Sequence, residues 1–177
     1  MGSSSDLEIV KAHIASYPDF PKVGILFRDM FPIFQSPEAL AALENLLVDH
    51  VKGLQGVDAV VALESRGFLL APLISSKLGI PMVPIRKKGK LPGKIRKVDF
   101  ALEYGTDTFE MQENSIKPGQ RVVVIDDLLA TGGTAKAACQ LIRDFSGDVV
   151  ELLVLMELKD LQGRNNVQCP VHSIVQF

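Results

Sequence analysis

The residues best suited to chemistry lie between positions 122 and 134, where an apolar run leads into two acidic residues and then a glycine-containing loop. Residues 122–125 are all β-branched, which is typical of a strand covered on both faces of a parallel sheet. Asp126 and Asp127 follow at once, and such sheets bind ligands beyond the carboxyl ends of their strands. Because neighbouring carboxylates can accept hydrogen bonds from the hydroxyls of a ribose, we predict that this pair binds a sugar.

A loop of small residues follows the acidic pair and has the composition of a phosphate site. It precedes a predicted helix, and the free N–H groups and positive dipole at a helix N-terminus favour an anion. The loop is not of the Walker A type, since residues 132–134 continue into Ala135 and Lys136 instead of completing a Gly-Lys-Ser/Thr ending. The alternative, an acidic turn and a glycine bend without a ligand, leaves the joined order of these features unexplained. The predicted phosphate loop comprises Ala130, Thr131, Gly132, Gly133 and Thr134.

The surrounding sequence alternates between strand and helix patterns. Strands are predicted at 58–63, 82–85, 122–125 and 149–156, and helices at 67–78 and 134–145. This alternation is typical of an α/β domain with a mainly parallel, twisted sheet, flanking helices and right-handed crossovers. The carboxyl ends of its strands therefore hold the acidic pair and the phosphate loop at one edge.

The segments outside this alternation are predicted from local signals. A first amphipathic helix is expected after a capping box of Ser5 and Glu8, and a second after Ser36, with a proline at its first position. Alternating residues from 100 to 111, interrupted by a Gly-Thr pair, predict a β-hairpin. The apolar stretch 171–177 predicts an edge strand or a cover.

The overall composition limits the class of protein. With 177 residues, 47% hydrophobic residues and a formal charge of −2, the chain is expected to form one compact domain, residues 1–177. It does not resemble a disordered protein or a general nucleic-acid binder. No apolar run is long enough to span a membrane and no signal segment is apparent, so we expect a cytoplasmic protein without membrane contacts. Cys139 and Cys169 form neither a metal-binding pattern nor a disulfide framework.

Residues 122–134 resemble the signature of the type I phosphoribosyltransferases, enzymes that use 5-phosphoribosyl 1-pyrophosphate. Four further segments, 20–29, 64–68, 86–93 and 102–105, resemble the members of that family that act on adenine. The resemblance implies the type I phosphoribosyltransferase fold, with a small base-binding hood within about residues 1–34 and a mobile β-hairpin loop. The implied reaction is purine salvage: adenine and 5-phosphoribosyl 1-pyrophosphate give AMP and pyrophosphate.

The resemblance also implies roles for individual residues. Asp126 and Asp127 would bind the ribose hydroxyls, the phosphate loop would bind the 5′-phosphate, and Glu103 would be catalytic, in proton transfer at the purine. Phe27 would stack on adenine while backbone groups near Leu26 and Arg28 read its edge. The pyrophosphate-binding residues would be Glu64, Ser65, Arg66 and, from a basic loop, Arg86, Lys87 or Lys88, and Lys90.

Further expectations concern conformation, cofactor and assembly. The family has a non-proline cis peptide that would fall at Glu64-Ser65, and it often has Asp where this chain has Glu64. Mg²⁺ would be held by substrate oxygens, with no direct protein ligand expected. The family favours a homodimer, in which Arg86 acts within its own subunit or across the interface.

Alternatives follow from the same sequence. Without the resemblance, Arg66 and the basic loop are compatible with solvated turns. Glu103 is then compatible with a solvent-facing position on a hairpin, and Leu26 and Phe27 are compatible with core residues. Within the family, another base such as hypoxanthine, guanine or xanthine is the nearest alternative. A regulatory domain that senses the phosphoribosyl substrate and binds nucleic acid is disfavoured by the charge of −2 and by the absence of a winged-helix pattern.

Overall fold

The structure, a computed structural model, describes residues 3–101 and 106–177. The chain forms two compact units, Met1–Gly53 and Leu54–Phe177. The phosphate loop and the basic loop belong to the second unit, and residues 26–28 belong to the first. The expectation of a single domain over residues 1–177 stays a prediction.

The first unit contains three helices and a two-stranded sheet. Its elements are α1 (Ser4–Ala12), β1 (Ala15–Pro18), β2 (Leu26–Asp29), α2 (Phe31–Gln35) and α3 (Pro37–Gly53). β1 and β2 pair antiparallel. As predicted, Ser36 caps α3, because its Oγ accepts a hydrogen bond from the Ala39 N–H at 3.2 Å.

The cap of α1 differs from the predicted one. Ser3 Oγ accepts from the Asp6 N–H at 3.1 Å, and Asp6 Oδ2 accepts from the Ser3 N–H at 3.2 Å. The capping box therefore consists of Ser3 and Asp6 rather than Ser5 and Glu8. An aspartate three residues after the first serine is sufficient to close the box, so the helix begins two residues earlier.

The second unit is a seven-stranded sheet with helices. Its strands are β3 (Ala59–Leu63), β4 (Met82–Lys87), β5 (Ile95–Ala101), β6 (Thr106–Gln112), β7 (Arg121–Leu129), β8 (Asp148–Glu157) and β9 (Val171–Gln176), in the order β5-β6-β4-β3-β7-β8-β9. β4, β3, β7, β8 and β9 are mutually parallel, and β5 and β6 are antiparallel. α4 (Gly67–Leu78) follows β3 and α5 (Gly133–Asp144) follows β7. The predicted fold class, a mainly parallel sheet flanked by helices, is confirmed.

The core lies along the central strands. Every residue of β3 is buried, as are residues 122–125 of β7, and buried residues of α5 belong to the same hydrophobic cluster. α4 ends as predicted, because Gly79 adopts a left-handed conformation with φ 66°. β5 and β6 pair as the hairpin pattern predicted, while residues 102–105 between them lie outside the described part. Mobility of that loop stays a prediction.

β7 is longer than the sequence predicted. The apolar run ends at Ile125, yet pairing with β8 continues from Asp126 with Val154 to Leu129 with Glu157. The acidic pair therefore lies within the strand, because backbone hydrogen bonds extend the ladder past the last β-branched residue. Among the described residues, no helix has the length and apolar character needed to span a membrane.

Candidate functional site

The acidic pair is fixed by the end of β7 and the start of α4. Asp127 is 5% exposed, and its Oδ2 lies 2.8 Å from Arg66 Nε, an ion-pair contact. Asp126 Oδ1 accepts a hydrogen bond from the Asp127 N–H at 2.9 Å. A Cβ on Gly67 would lie only 2.6 Å from the Ile125 carbonyl oxygen. Glycine at 67 therefore allows α4 to begin directly against β7 with Arg66 beside the carboxylates.

The electrostatics of the pair follow from its burial. Burial raises the pKa of Asp126, and the negative charge of Asp127 raises it further. Burial also raises the pKa of Asp127, although the Arg66 guanidinium opposes this effect. Ionising both of these adjacent carboxylates is therefore costly, and hydrogen-bond donors or positive charge on a ligand would relieve that cost.

The phosphate loop and the acidic pair line one cavity of about 230 Å³. Gly132, with φ 83°, precedes the first residue of α5. The first N–H groups of an α-helix have no partner within it and can bind an anion. The predicted residues lining this cavity are Arg66, Asp126, Asp127, Ala130, Thr131, Gly132 and Thr134. Gly133 lines a separate cavity together with Thr131.

A second cavity of about 360 Å³ lies on the other side of the acidic pair. It shares Arg66 and both aspartates with the first cavity, so the two cavities are adjacent. Its remaining lining residues are Glu64, Ser65, Lys87 and Lys90. The Glu64-Ser65 peptide bond is cis, as the resemblance implied. The two lysines and one arginine of this cavity can bind an anion, and they are balanced by the three carboxylates that line the same cavity.

Glu64 contacts cations of the basic loop. Its carboxylate accepts hydrogen bonds from the Arg86 Nε at 3.2 Å, from the Lys87 N–H at 3.0 Å and from the Lys90 ammonium. Burial opposes the ionised form, but these hydrogen bonds outweigh it and lower the pKa of Glu64 to about 2. An anionic carboxylate repels pyrophosphate, so this geometry favours a positioning role toward the cations over direct contact.

The basic loop is attached to β6. The Gly89 N–H donates to the buried Glu110 carboxylate at 2.8 Å, and the Lys88 N–H donates to the Thr108 carbonyl at 3.1 Å. Lys87 Nζ also lies 3.0 Å from Asp107 Oδ2. Of the four predicted cations, Lys87 and Lys90 line the second cavity, Arg86 reaches Glu64, and Lys88 lines neither cavity.

The predicted base-binding residues occupy β2 of the first unit. The ring of Phe27 is half-buried and packs edge-on against Phe20, with 5.1 Å between the ring centroids. The two rings line a cavity of about 590 Å³ with Tyr17 and Phe31. β2 pairs only with β1, and alternate residues of an edge strand direct their backbone groups to the same side. Leu26 and Arg28 are two residues apart, so their backbone groups point to the same side of β2.

Some site residues lie outside these predictions. Glu103, the predicted catalytic residue, falls in residues 102–105 and so outside the described part. Leu128 was not among the predicted site residues, but it lines the first cavity and is partly exposed. Gly163 and Asn166 also contact the phosphate loop. The sequence feature that could have indicated them is a glycine beside an amide residue in a polar segment.

Comparisons with known proteins show the family to which the chain belongs. A phosphoribosyl transferase domain matches residues 32–174. An adenine phosphoribosyltransferase of Drosophila pseudoobscura pseudoobscura is 48% identical over 100% of this chain and 98% of its own length. The yeast enzyme, from Saccharomyces cerevisiae, was solved with adenine and an imino-altritol bisphosphate. It superposes with a TM-score of 0.92 at 39% identity, covering 97% of this chain and 99% of that one.

A more distant structure extends the comparison. The adenine phosphoribosyl transferase of Trypanosoma brucei, solved with AMP, pyrophosphate and ribose-5-phosphate, has a TM-score of 0.89 at 28% identity. It covers 99% of this chain and 81% of that one. A parallel sheet with an acidic pair, a phosphate loop and a matching domain defines a phosphoribosyltransferase. The chain belongs to the adenine phosphoribosyltransferase family.

Proposed function

We propose that this protein transfers the 5-phosphoribosyl group from 5-phosphoribosyl 1-pyrophosphate to adenine, giving AMP and pyrophosphate in purine salvage. One observation carries the proposal: two adjacent cavities share the acidic pair, one of them lined by the phosphate loop and the other by Arg66, Lys87 and Lys90. A ribose with a phosphate at one end and a pyrophosphate at the other matches this order of charges. The full-length relatives named for the same reaction support the choice.

The phosphate loop and the acidic pair bind the sugar phosphate. The N–H groups of residues 130–134 and the dipole of α5 hold the 5′-phosphate. Asp126 and Asp127 accept hydrogen bonds from the ribose hydroxyls, which fixes the ring relative to the incoming base. The same carboxylates stabilise the positive charge that develops on the sugar as its bond to pyrophosphate breaks, because hydrogen bonds and the Arg66 ion pair already orient them.

The second cavity binds pyrophosphate. Arg66, Lys87 and Lys90 neutralise its charge, assisted by Ser65, while Glu64 orients Arg86 and Lys90 beside it. Mg²⁺ would be held by oxygens of the pyrophosphate and the sugar, and the nearby carboxylates of Asp126 and Asp127 fit a site for this ion because it prefers phosphates, carboxylates and water. Within the described residues, no three acidic, histidine or cysteine side chains gather to form a metal cage. When bound with the substrate, Mg²⁺ supplies further neutralisation of the leaving pyrophosphate.

The chemistry exchanges one bond at the sugar for another. The bond between C1 and the pyrophosphate oxygen breaks, its electron pair leaves with pyrophosphate, and adenine N9 forms the new bond to C1. Adenine N9 loses its proton, and Glu103 assists that transfer. Replacing Glu103 with Gln is expected to lower kcat more than it raises KM, since only proton transfer is impaired. An unchanged kcat would remove Glu103 from the mechanism.

The first unit supplies the contacts to the base. Phe27 offers an aromatic ring that can stack on a flat purine, and its orientation is supported by Phe20. Leu26 and Arg28 direct backbone groups to one edge of β2, which can read the hydrogen-bonding edge of adenine. Backbone groups have fixed donors and acceptors, so they can distinguish a 6-amino purine from a 6-oxo purine.

A base panel tests the proposal. Purified protein with Mg²⁺ and 5-phosphoribosyl 1-pyrophosphate is offered adenine, hypoxanthine, guanine, xanthine or orotate, and pyrophosphate release is measured. We expect turnover with adenine alone. Turnover with another base would retain the two adjacent cavities and discard the base assignment. Substrate binding without turnover on any base would instead support the regulatory alternative.

Assembly and location stay predictions. A homodimer is proposed from the resemblance, and size-exclusion chromatography with light scattering would measure it directly. Arg86 contacts Glu64 of its own chain at 3.2 Å, and its action within one subunit or across the interface stays a prediction. The cytoplasmic location expected from the sequence is likewise a proposal.

A further inference from the structure

The back of the phosphate loop is in close contact with a short 3₁₀ turn, Gly163–Asn166. A Cβ on Gly163 would lie 2.2 Å from the Ala130 carbonyl oxygen, and one on Gly132 would lie 2.3 Å from the Gly163 carbonyl oxygen. The two backbones therefore touch without intervening side chains. Asn166 adds a directed contact, because its Nδ2 donates a hydrogen bond to the Thr131 carbonyl at 2.7 Å.

The turn itself is fixed to the end of β8. The guanidinium of Arg164 forms a two-pronged ion pair with Glu157, with Nη2 to Oε2 at 2.7 Å. Arg164 also donates to the Val171 carbonyl at 2.7 Å, and Glu157 is only 3% exposed. The adjacent Leu158 N–H donates to the Leu129 carbonyl at 3.0 Å. The turn is therefore a rigid support for Asn166.

The Thr131 carbonyl and the Gly132 N–H belong to one planar peptide and point in opposite directions. Asn166 lines the separate cavity that it shares with Thr131 and Gly133, and it does not line the cavity bordered by the acidic pair and the phosphate loop. With the Thr131 carbonyl held toward Asn166, the Gly132 N–H points the opposite way and can bind the 5′-phosphate. Gly132 has φ 83°, and glycine tolerates both orientations of the preceding peptide. Without Asn166, the peptide can rotate and present a carbonyl oxygen to the phosphate, which repels it.

We propose that Asn166 is a positioning residue for 5′-phosphate recognition, acting through the Thr131 carbonyl to hold the Thr131–Gly132 peptide in its anion-binding orientation. This inference rests on the proposed function and adds a residue to that site. It concerns one end of the substrate, since Asn166 lines neither the pyrophosphate cavity nor the cavity of β2. Loss of Asn166 therefore weakens phosphate binding selectively.

The test compares Asn166→Ala and Asn166→Asp with Asn165→Ala. Asn165 belongs to the same turn and is exposed like Asn166, but its amide donates to the Gln162 side chain at 3.4 Å instead of to the phosphate loop. Calorimetry measures the binding of ribose 5-phosphate and, separately, of pyrophosphate with Mg²⁺. Steady-state assays give kcat and the KM for 5-phosphoribosyl 1-pyrophosphate. The aspartate variant is isosteric, so it controls for lost packing, and it replaces the donor with a carboxylate that repels both the Thr131 carbonyl and a phosphate.

We expect Asn166→Ala to weaken ribose 5-phosphate binding and raise the KM for 5-phosphoribosyl 1-pyrophosphate about fivefold, the usual net effect of losing one hydrogen bond. Asn166→Asp is expected to weaken ribose 5-phosphate binding more than Asn166→Ala does. Asn165→Ala is expected to leave this binding unchanged. Pyrophosphate binding and kcat should stay within about twofold for all three, which general unfolding would not allow. Equal ribose 5-phosphate binding by wild type and Asn166→Ala would overturn the inference. Failure of the wild type to bind ribose 5-phosphate would overturn the proposed function instead.

Discussion

Replacing Gly132 with Ala tests how closely the phosphate loop is packed. The new Cβ would lie 2.3 Å from the Gly163 carbonyl oxygen, whereas real Cβ contacts essentially never fall below 3.0 Å. The loop or the turn must therefore move by at least about 0.7 Å, the difference between these two distances. A displacement of about 1 Å in a positioning element costs on the order of 10²-fold in rate, or about 2.7 kcal/mol of transition-state stabilisation.

A matched glycine separates this contact from the cost of the backbone conformation. Gly119 has φ 78°, close to the 83° of Gly132, but a Cβ there meets nothing within 4 Å. Alanine in the left-handed region costs about 1–2 kcal/mol at either position. For a chain of this size, each kcal/mol lowers Tm by about 2–4 °C. Both variants should therefore melt a few degrees below the wild type.

The assay is kcat/KM for 5-phosphoribosyl 1-pyrophosphate at saturating adenine, together with thermal melting. We expect Gly132→Ala to lose about 10²-fold in kcat/KM while Gly119→Ala stays near the wild type. Equal kcat/KM of the two variants, at similar Tm, would show that contact with Gly163 does not fix the phosphate loop.

Three further predictions concern charge and thiol reactivity. Glu64→Gln should be less stable than the wild type at pH 7, and the difference should shrink as the pH falls from the ordinary pKa of 4.5 to about 2 in thermal melts, because the carboxylate loses its ionised contacts over that window. Asp126→Asn should raise Tm at pH 7 but lower kcat by about 10²-fold, since burial and the charge of Asp127 raise the pKa of Asp126 and penalise its ionised form. Iodoacetamide should label Cys169 faster than Cys139 in peptide mass spectra, because the hydrogen bond from Cys139 lowers the pKa of the half-buried Cys169, whereas that same bond and burial raise the pKa of Cys139.

Each of these predictions has a contrary outcome. A pH-independent difference between the wild type and Glu64→Gln would show that the carboxylate is not ionised against the basic loop. The stability gain of Asp126→Asn should appear only above pH 3.8, where an unfolded aspartate ionises, so a gain at pH 3 would have another origin. Equal labelling of both cysteines would contradict the burial of Cys139, whose sulfur lies 3.8 Å from that of Cys169.

The sequence was sufficient for the features that depend on local pattern. The β-branched run of β7, the glycine at the end of α4 and the cap of α3 each follow from neighbouring residues. The acidic pair and the phosphate loop were predictable together because a parallel strand must deliver them to one edge of the sheet. The end of β7 could not be predicted, because the strand continues through the aspartates by pairing with β8.

Contacts between distant segments could not be predicted. Asn166 reaches Thr131 across 35 positions, and Glu64 reaches Lys90 across 26, so neither pairing leaves a periodic signal. The family pattern placed Glu64 in the pyrophosphate site, but its contacts with Arg86 and Lys90 and its lowered pKa appear only once the fold brings the basic loop to it. Gly163 is explained only by the close approach of two backbones.

The most direct test of the central claim is identification of the product in a single turnover. Excess protein is mixed with Mg²⁺, 5-phosphoribosyl 1-pyrophosphate and isotopically labelled adenine, and the quenched reaction is analysed by liquid chromatography and mass spectrometry. We expect labelled AMP and pyrophosphate in equal amounts, and neither product when adenine is omitted. Bound 5-phosphoribosyl 1-pyrophosphate with no labelled AMP would contradict the proposed function.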